Sequence, residues 1–216
     1  MNSVEKLAAD LRVLAPKVPL HWGRIQNDGY DADLNMFGVE TYGELEEKIA
    51  RFDPLERNYF RRRWYLWKCS IVDEYLFCQN EGVEPNPNKY DQSYDIKIDN
   101  QFEFDLKGTV VPRDMRDDVE ALIQDPRPMI QFFYDQQSQG VRKCYQNRLF
   151  IVHHSFVETR REFFLRCAWQ SKAHIYSEFL DILRTSEFFR YGNSSAAVIF
   201  ILERERGKVS YEIPAI

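Results

Sequence analysis

The stretch Tyr94-Asp95-Ile96-Lys97-Ile98-Asp99-Asn100-Gln101-Phe102-Glu103-Phe104-Asp105-Leu106-Lys107-Gly108 decides how the rest of the chain is read. It holds two alternating runs, Tyr94 to Ile98 and Phe102 to Lys107, joined by Asp99-Asn100-Gln101. Side chains along a strand point alternately to opposite faces. Ile96 and Ile98 therefore share one face of the first strand, and Phe102 and Phe104 share one face of the second. For all four to meet one core, even positions must pair with even positions. A three-residue loop from Asp99 to Gln101 satisfies this. Ile98 then opposes Phe102, Ile96 opposes Phe104, Lys97 opposes Glu103 and Asp95 opposes Asp105.

That register sets two carboxylates side by side, with Cβ atoms roughly 5 Å apart. Lys107, two residues beyond Asp105, lies on the same face. Like charges placed opposite one another destabilise a hairpin, and a divalent cation between them removes that cost. Mg²⁺ takes oxygen ligands and is commonly held by one or two carboxylates plus substrate phosphate. A neighbouring ammonium is suited to working on an attacking water or on charge developing at a phosphate. The same alternation also describes a plain amphipathic hairpin with a solvated polar face, so the residues leave both readings open.

Asp95, nine residues, then Asp105-Leu106-Lys107 resembles the PD-(D/E)xK motif of restriction-endonuclease-like nucleases. The resemblance covers 13 of the 216 residues. It departs from the motif at Tyr94, where the motif's name has proline. It implies that Asp95 and Asp105 bind a catalytic Mg²⁺ (or Mn²⁺) and that Lys107 assists the nucleophilic water. Many such nucleases add a glutamate from the helix before the hairpin. Here the candidate is Glu74: with Phe60 set at zero and about 100° per residue, Glu74 falls at about 320°, inside the stripe of Phe60, Trp64, Trp67, Ile71 and Cys78. An ionised carboxylate on an apolar face needs a partner, either the metal or an arginine at the edge of the stripe. The resemblance implies an α/β restriction-endonuclease-like core, a central mixed β-sheet flanked by α-helices.

Working outward, Asp53-Pro54-Leu55-Glu56 reads as a helix start, with an N-cap, proline at the first position and a glutamate at the third. The apolar pattern then carries the helix to Phe77, with Gly82 as a stop. Ser3 to about Leu14 reads as a first helix. Thr41 with Glu44 predicts a capping box for a short helix. That helix ends an acidic stretch, Asp28 to Glu47, that holds seven acids and no base and reads as a solvated loop followed by the helix. Beyond the hairpin, Arg113 to Gln124 reads as a helix. Met129 to Tyr134 and Leu149 to His153 read as buried strands, with a polar loop from Asp135 to Gly140. Arg160 to Phe189 reads as a second long helix, and Ala196 to Leu202 as a strand paired with Val209 to Ile213. The expected organisation is one domain over 1–216, with a helical and acidic region at 1–52 and the nuclease-like core at 53–216.

Composition bounds the partners. The chain carries 29 Lys+Arg against 34 Asp+Glu, a net charge of −5, which excludes a histone-like basic binder. Hydrophobic residues at 44% and aromatics at 15% exclude a disordered chain. Mean hydropathy is −0.53, and no apolar run is long enough to span a membrane. The opening MNSVEKLAADLRVLAPK lacks the apolar core of a secretory leader. Cys69, Cys78, Cys144 and Cys167 form no Cys-x-x-Cys pair, the pattern expected of reduced thiols in a cytoplasm.

Local charge differs from the total. Arg57, Arg61, Arg62, Arg63 and Lys68 face only Glu56 within 56–68. Arg61, Arg62, Arg63 and Lys68, interleaved with Trp64 and Tyr65, are the candidate nucleic-acid contacts, with Arg113 and Arg116 after the hairpin. His153 and His154 are adjacent on a strand and so face opposite ways, one to the core and one to the surface. Glycine-rich phosphate loops and nucleophile elbows are absent from the sequence. The expected function is a metal-dependent nuclease, with DNA the preferred substrate and a homodimer expected if both strands are cut. The alternative is a non-catalytic module on the same fold that binds nucleic acid or protein.

Overall fold

The computed structural model describes residues 3–21, 33–88, 93–136 and 146–214. Asp28, Asp31, Cys144, Tyr145 and most of the expected polar loop after Asp135 lie outside these residues. The chain divides into two compact units, Met1–Val72 and Asp73–Ile216. The division falls inside the long central helix rather than at its start.

The first unit is helical. α1 spans Ser3–Leu14 and α2 spans Tyr42–Ile49. The Thr41 side chain accepts from the Glu44 amide at 3.2 Å. The Glu44 carboxylate reaches back to the Glu40 amide, one residue before the cap itself. α3 spans Pro54–Phe77, and its start is a reciprocal capping box. The Asp53 carboxylate accepts from the Leu55 and Glu56 amides, and the Asp53 amide donates to the Glu56 carboxylate at 3.1 Å. Phe60 and Trp64 are buried in this unit, and the Trp64 indole donates to the Val39 carbonyl.

In the second unit, seven strands form one mixed sheet among the described residues. They are β1 (Val83–Pro85), β2 (Ile96–Ile98), β3 (Phe102–Val110), β4 (Arg148–Ser155), β5 (Phe189–Tyr191), β6 (Ser194–Glu205) and β7 (Lys208–Glu212). The order is β1-β2-β3-β4-β6, with β5 and β7 both pairing with β6. β3, β4 and β6 run parallel, while the flanking pairs are antiparallel. From Ile96 onward the hairpin has the register derived above, Ile96↔Phe104, Lys97↔Glu103 and Ile98↔Phe102, and the ladder stops short of the expected Asp95–Asp105 pair. Its loop places Asp99 at φ 50° and Asn100 at φ 56°, the left-handed region that Asp and Asn tolerate best among residues with a side chain.

Helices cover both sheet faces. On one face, α7 (Trp169–Leu183) and the end of α3 pack on Leu106, Ile151, Ile199 and Ile201. Phe77 stacks on Tyr176 there, with centroids 4.0 Å apart. On the other, α4 (Val119–Gln124) and α5 (Arg127–Asp135) pack on Phe150, Val152, Val198 and Phe200. A parallel strand covered on both sides carries a continuous apolar run; every residue of β4 is buried, with Leu149 to Val152 as that run and polar residues only at its ends.

Three sequence expectations are corrected. Met129 to Tyr134 is not a strand but part of α5. Met129, Ile130 and Tyr134 bury one helical side, and Pro128 sits in the first turn. A run of six residues, apolar but for Gln131, carries no decisive period, and the proline-marked start was the better signal. Arg160 to Phe189 is not one helix. α6 (Arg161–Arg166) ends where the Arg166 carbonyl accepts from the Lys172 ammonium at 3.0 Å; α7 restarts at Trp169, and Phe189 opens β5. Arg113 to Gln124 is a 3₁₀ turn, Arg113–Asp118, followed by α4.

Gly82 sits at φ +75°, and a Cβ built there lies 2.2 Å from an Asp99 carboxylate oxygen. Gly82→Ala is expected to cost about 2 kcal/mol, through the positive φ and displacement of the Asp99–Arg184 pair. Urea unfolding compared with Gly207→Ala, whose φ is +81° but whose added Cβ meets open space, separates the clash from the φ penalty.

Candidate functional site

The hairpin and the parallel strand beside it assemble the site. The Asp95 amide donates at 2.9 Å to the carbonyl of Phe104, the ladder partner of Ile96, so the regular pairing ends at Ile96 while Asp95 stays tied to β3. Asp95 Oδ2 accepts from the Leu106 amide at 2.7 Å, so the carboxylate folds onto β3 beside Asp105. Asp105 is buried and meets two cations: Lys107 Nζ lies 2.7 Å from its Oδ1, and Arg148 Nε lies 3.3 Å from its Oδ2. Arg148 opens β4 directly opposite Asp105 in the parallel register. Its guanidinium carbon sits 5.0 Å over the Tyr134 ring. Tyr134 donates to the Gln146 carbonyl at 2.9 Å and stacks on Tyr191 at 4.6 Å. Lys107 remains 42% exposed, whereas the Arg148 side chain is 3% exposed.

Burial, and next the neighbouring Asp105 charge, push the Asp95 carboxyl up from 3.8 to about 6; the Leu106 amide and Lys107 oppose the shift. An acid whose pKa is higher folded than unfolded favours the fold when protonated. That stability is fully present below about pH 3.8 and is lost as pH rises through about 6. In metal-free buffer, Asp95→Asn is therefore expected to be more stable than the parent above that range by about 1–2 kcal/mol, a size discounted for partial solvent access. The advantage should vanish below about pH 4. Denaturant melts across this range check both limbs.

Glu74 is not brought into this group. It is half-buried and lies near the Cys78 thiol, which burial and then the Glu74 charge push up to about 12. The buried acid of α3 is Asp73, 2% exposed. The buried side of α3 rotates along its length, from Phe60 and Trp64 early to Asp73 and Phe77 late, so a wheel anchored at Phe60 misplaces the last turns. Asp73 Oδ1 accepts from Lys172 Nζ and from the Tyr176 hydroxyl, both at 2.8 Å. This closed pair lies on the opposite sheet face from Asp105. No group of three or more His, Cys, Asp or Glu able to hold a metal occurs among the described residues.

Most of the candidate nucleic-acid contacts have internal partners. Arg61 makes a two-pronged pair with Glu46. Arg62 donates to the Pro19 and Leu20 carbonyls, and Arg63 lies over Phe37 at 5.8 Å. Lys68 is buried 4.2 Å over Trp67, and burial lowers its pKa. Arg116 is two-pronged on Glu162. Arg113 is exposed.

Both histidines of β4 are buried, which corrects the expectation of one at the surface; the sheet has no uncovered face there. His153 Nδ1 lies 3.1 Å from the Thr109 carbonyl, and burial with Lys172 and Arg166 nearby holds its pKa well below 6.5. His154 lies 3.5 Å from Glu162. Cys69 and Cys167 are buried, Cys78 is half-buried, and none of the three is in a disulfide. No helix among the described residues is long and apolar enough to cross a membrane.

Sequence reasoning missed Arg148 and the Asp73–Lys172 pair. An arginine opening an otherwise apolar run was the available signal for the first. The second joins residues 99 positions apart and left none. Comparison with protein-family models, with curated proteins and with solved structures returns no match.

Proposed function

We propose that the chain is a metal-dependent nuclease that hydrolyses phosphodiester bonds, DNA for preference, on a restriction-endonuclease-like arrangement of sheet and helices. The observation that carries this reading is the convergence of Asp95, Asp105 and Lys107 at one end of the parallel strands, with Lys107 Nζ 2.7 Å from Asp105. The donor chemistry fits a small hard cation. Two carboxylates meet in a partly buried place where their mutual charge is unfavourable. Two acids leave the rest of the coordination shell to water and phosphate, the usual arrangement for Mg²⁺. Asp95 and Asp105 would hold the ion.

The ion, when bound, supplies a Lewis acid and a water of lowered pKa. The chain's own residues do the rest. Lys107 is pinned by Asp105 yet half exposed, so it is placed to meet an incoming phosphate as a cation. The Leu106 amide fixes the Asp95 carboxylate. Arg113, exposed just beyond β3 and Val111-Pro112, is available to a neighbouring phosphate. Glu74 stays outside this assignment.

The alternative, a non-catalytic binding module, has one observation in its favour: Lys107 and Arg148 already balance the acid pair without a metal. The test is incubation with plasmid and single-stranded DNA and with RNA, in Mg²⁺ or Mn²⁺ and in chelator. Chelator-sensitive cutting supports the nuclease. Salt-sensitive binding with no cutting in either metal supports the module.

A further inference from the structure

The site carries no net formal charge before any ion enters: Asp95 and Asp105 contribute two negative charges, and Lys107 and Arg148 contribute two positive ones. We infer that divalent cation and phosphodiester load onto this site together, and that Arg148 is the positioning residue that enforces the coupling. The inference rests on the nuclease reading and adds to it how the site is switched on.

Arg148 cannot leave. Its side chain is 3% exposed and is held between the Asp105 carboxylate and the Tyr134 ring. The ring is fixed in turn by its hydroxyl bond to Gln146 and its stack on Tyr191. Arg148 Nε, 3.3 Å from Asp105, completes no hydrogen bond, so the pair is held by charge, in a place with little water to screen it. A dication entering this balanced pocket leaves an excess of two positive charges. A phosphodiester brings one negative charge, and its hydrolysis develops more. The free protein therefore binds the ion weakly, and nucleic acid tightens that binding. By linkage the ion tightens nucleic-acid binding by the same factor, about tenfold or more. Removing one fixed cation relieves the excess, so the free protein then binds the ion more tightly and the coupling shrinks. A side chain that only supports the fold would not raise metal affinity when removed.

The test uses the full chain. Mn²⁺ is titrated calorimetrically into the free protein, and fluorescence anisotropy follows labelled duplex and single-stranded oligonucleotides with Mg²⁺ or with chelator at matched ionic strength. Arg148→Met is expected to raise free-protein Mn²⁺ affinity about tenfold and to weaken the effect of Mg²⁺ on DNA binding by a similar factor. Arg148→Lys, which keeps the charge, should retain the parent values. Lys107→Met removes the other cation from a half-exposed side chain. It should shift Mn²⁺ affinity in the same direction, and it carries the test if Arg148→Met does not fold. Parent protein that binds Mn²⁺ equally well with and without DNA overturns the coupling, as does unchanged or weaker Mn²⁺ binding in the charge-removing variants. If such uncoupled protein still cuts DNA, the nuclease reading stands and only this inference falls. Absence of cutting in either metal, with Mn²⁺ binding indifferent to Asp105→Asn, removes both.

Discussion

Asp73→Ala and Lys172→Met are each expected to destabilise the second unit by about 3–5 kcal/mol, the range for leaving one partner of a buried ion pair uncompensated. Lys172 is 0% and Asp73 2% exposed, so neither remaining charge can reach water without opening the core. Asp73→Ala also removes the acceptor of the Tyr176 hydroxyl bond, which shares Oδ1. The Lys172 ammonium in addition closes the end of α6 through the Arg166 carbonyl. The double variant Asp73→Leu with Lys172→Met should recover much of the loss, because it removes both charges and replaces them with apolar volume. Urea unfolding of the two single variants and the double measures the coupling. Losses below about 1 kcal/mol in both singles would show that the pair is not closed in solution.

Lys107→Ala is expected to lower metal-dependent cleavage by about 10²–10³-fold, the usual effect of deleting one preorganised group at a reacting centre, while leaving stability nearly unchanged. The Lys107 side chain is 42% exposed and its buried partner Asp105 keeps the Arg148 charge, so the loss to folding is held to about 1 kcal/mol. Asp105→Ala should lose at least as much cleavage. It also leaves Arg148 without its carboxylate, so its melting curve must be read beside its rate. Single-turnover cutting of plasmid in Mg²⁺ gives the rates, and the same samples in chelator give the background. Cutting at the parent rate in both variants would remove the assignment of Asp105 and Lys107.

The hairpin was legible because its constraints leave one solution. Four apolar residues with period two and a three-residue loop admit a single register, and the observed pairs are that register. The start of α3 was legible because Asp53, Pro54 and Glu56 act within one turn and need no distant partner. Met129 to Tyr134 was misread because a short apolar run fits a buried strand and a buried helix alike. The break between α6 and α7 rests on a lysine ammonium reaching a backbone carbonyl, and no local propensity encodes that. Glu74 was misplaced because one helical wheel assumes one buried side, whereas α3 changes its buried side along its length.

By itself the sequence determined the elements governed by local chemistry: the capped helix and the register of the Ile96–Ile98 and Phe102–Phe104 strands, with Asp105 and Lys107 on one face of the second. Tertiary structure decided which charges surround them. The parallel pairing of β3 with β4 put Arg148 opposite Asp105. The packing of α7 beneath the sheet took Asp73 into a closed pair with Lys172 and Tyr176. Both depend on residues far apart in the chain, whose proximity is set by burying the two sheet faces. No period, cap or spacing in the sequence records it.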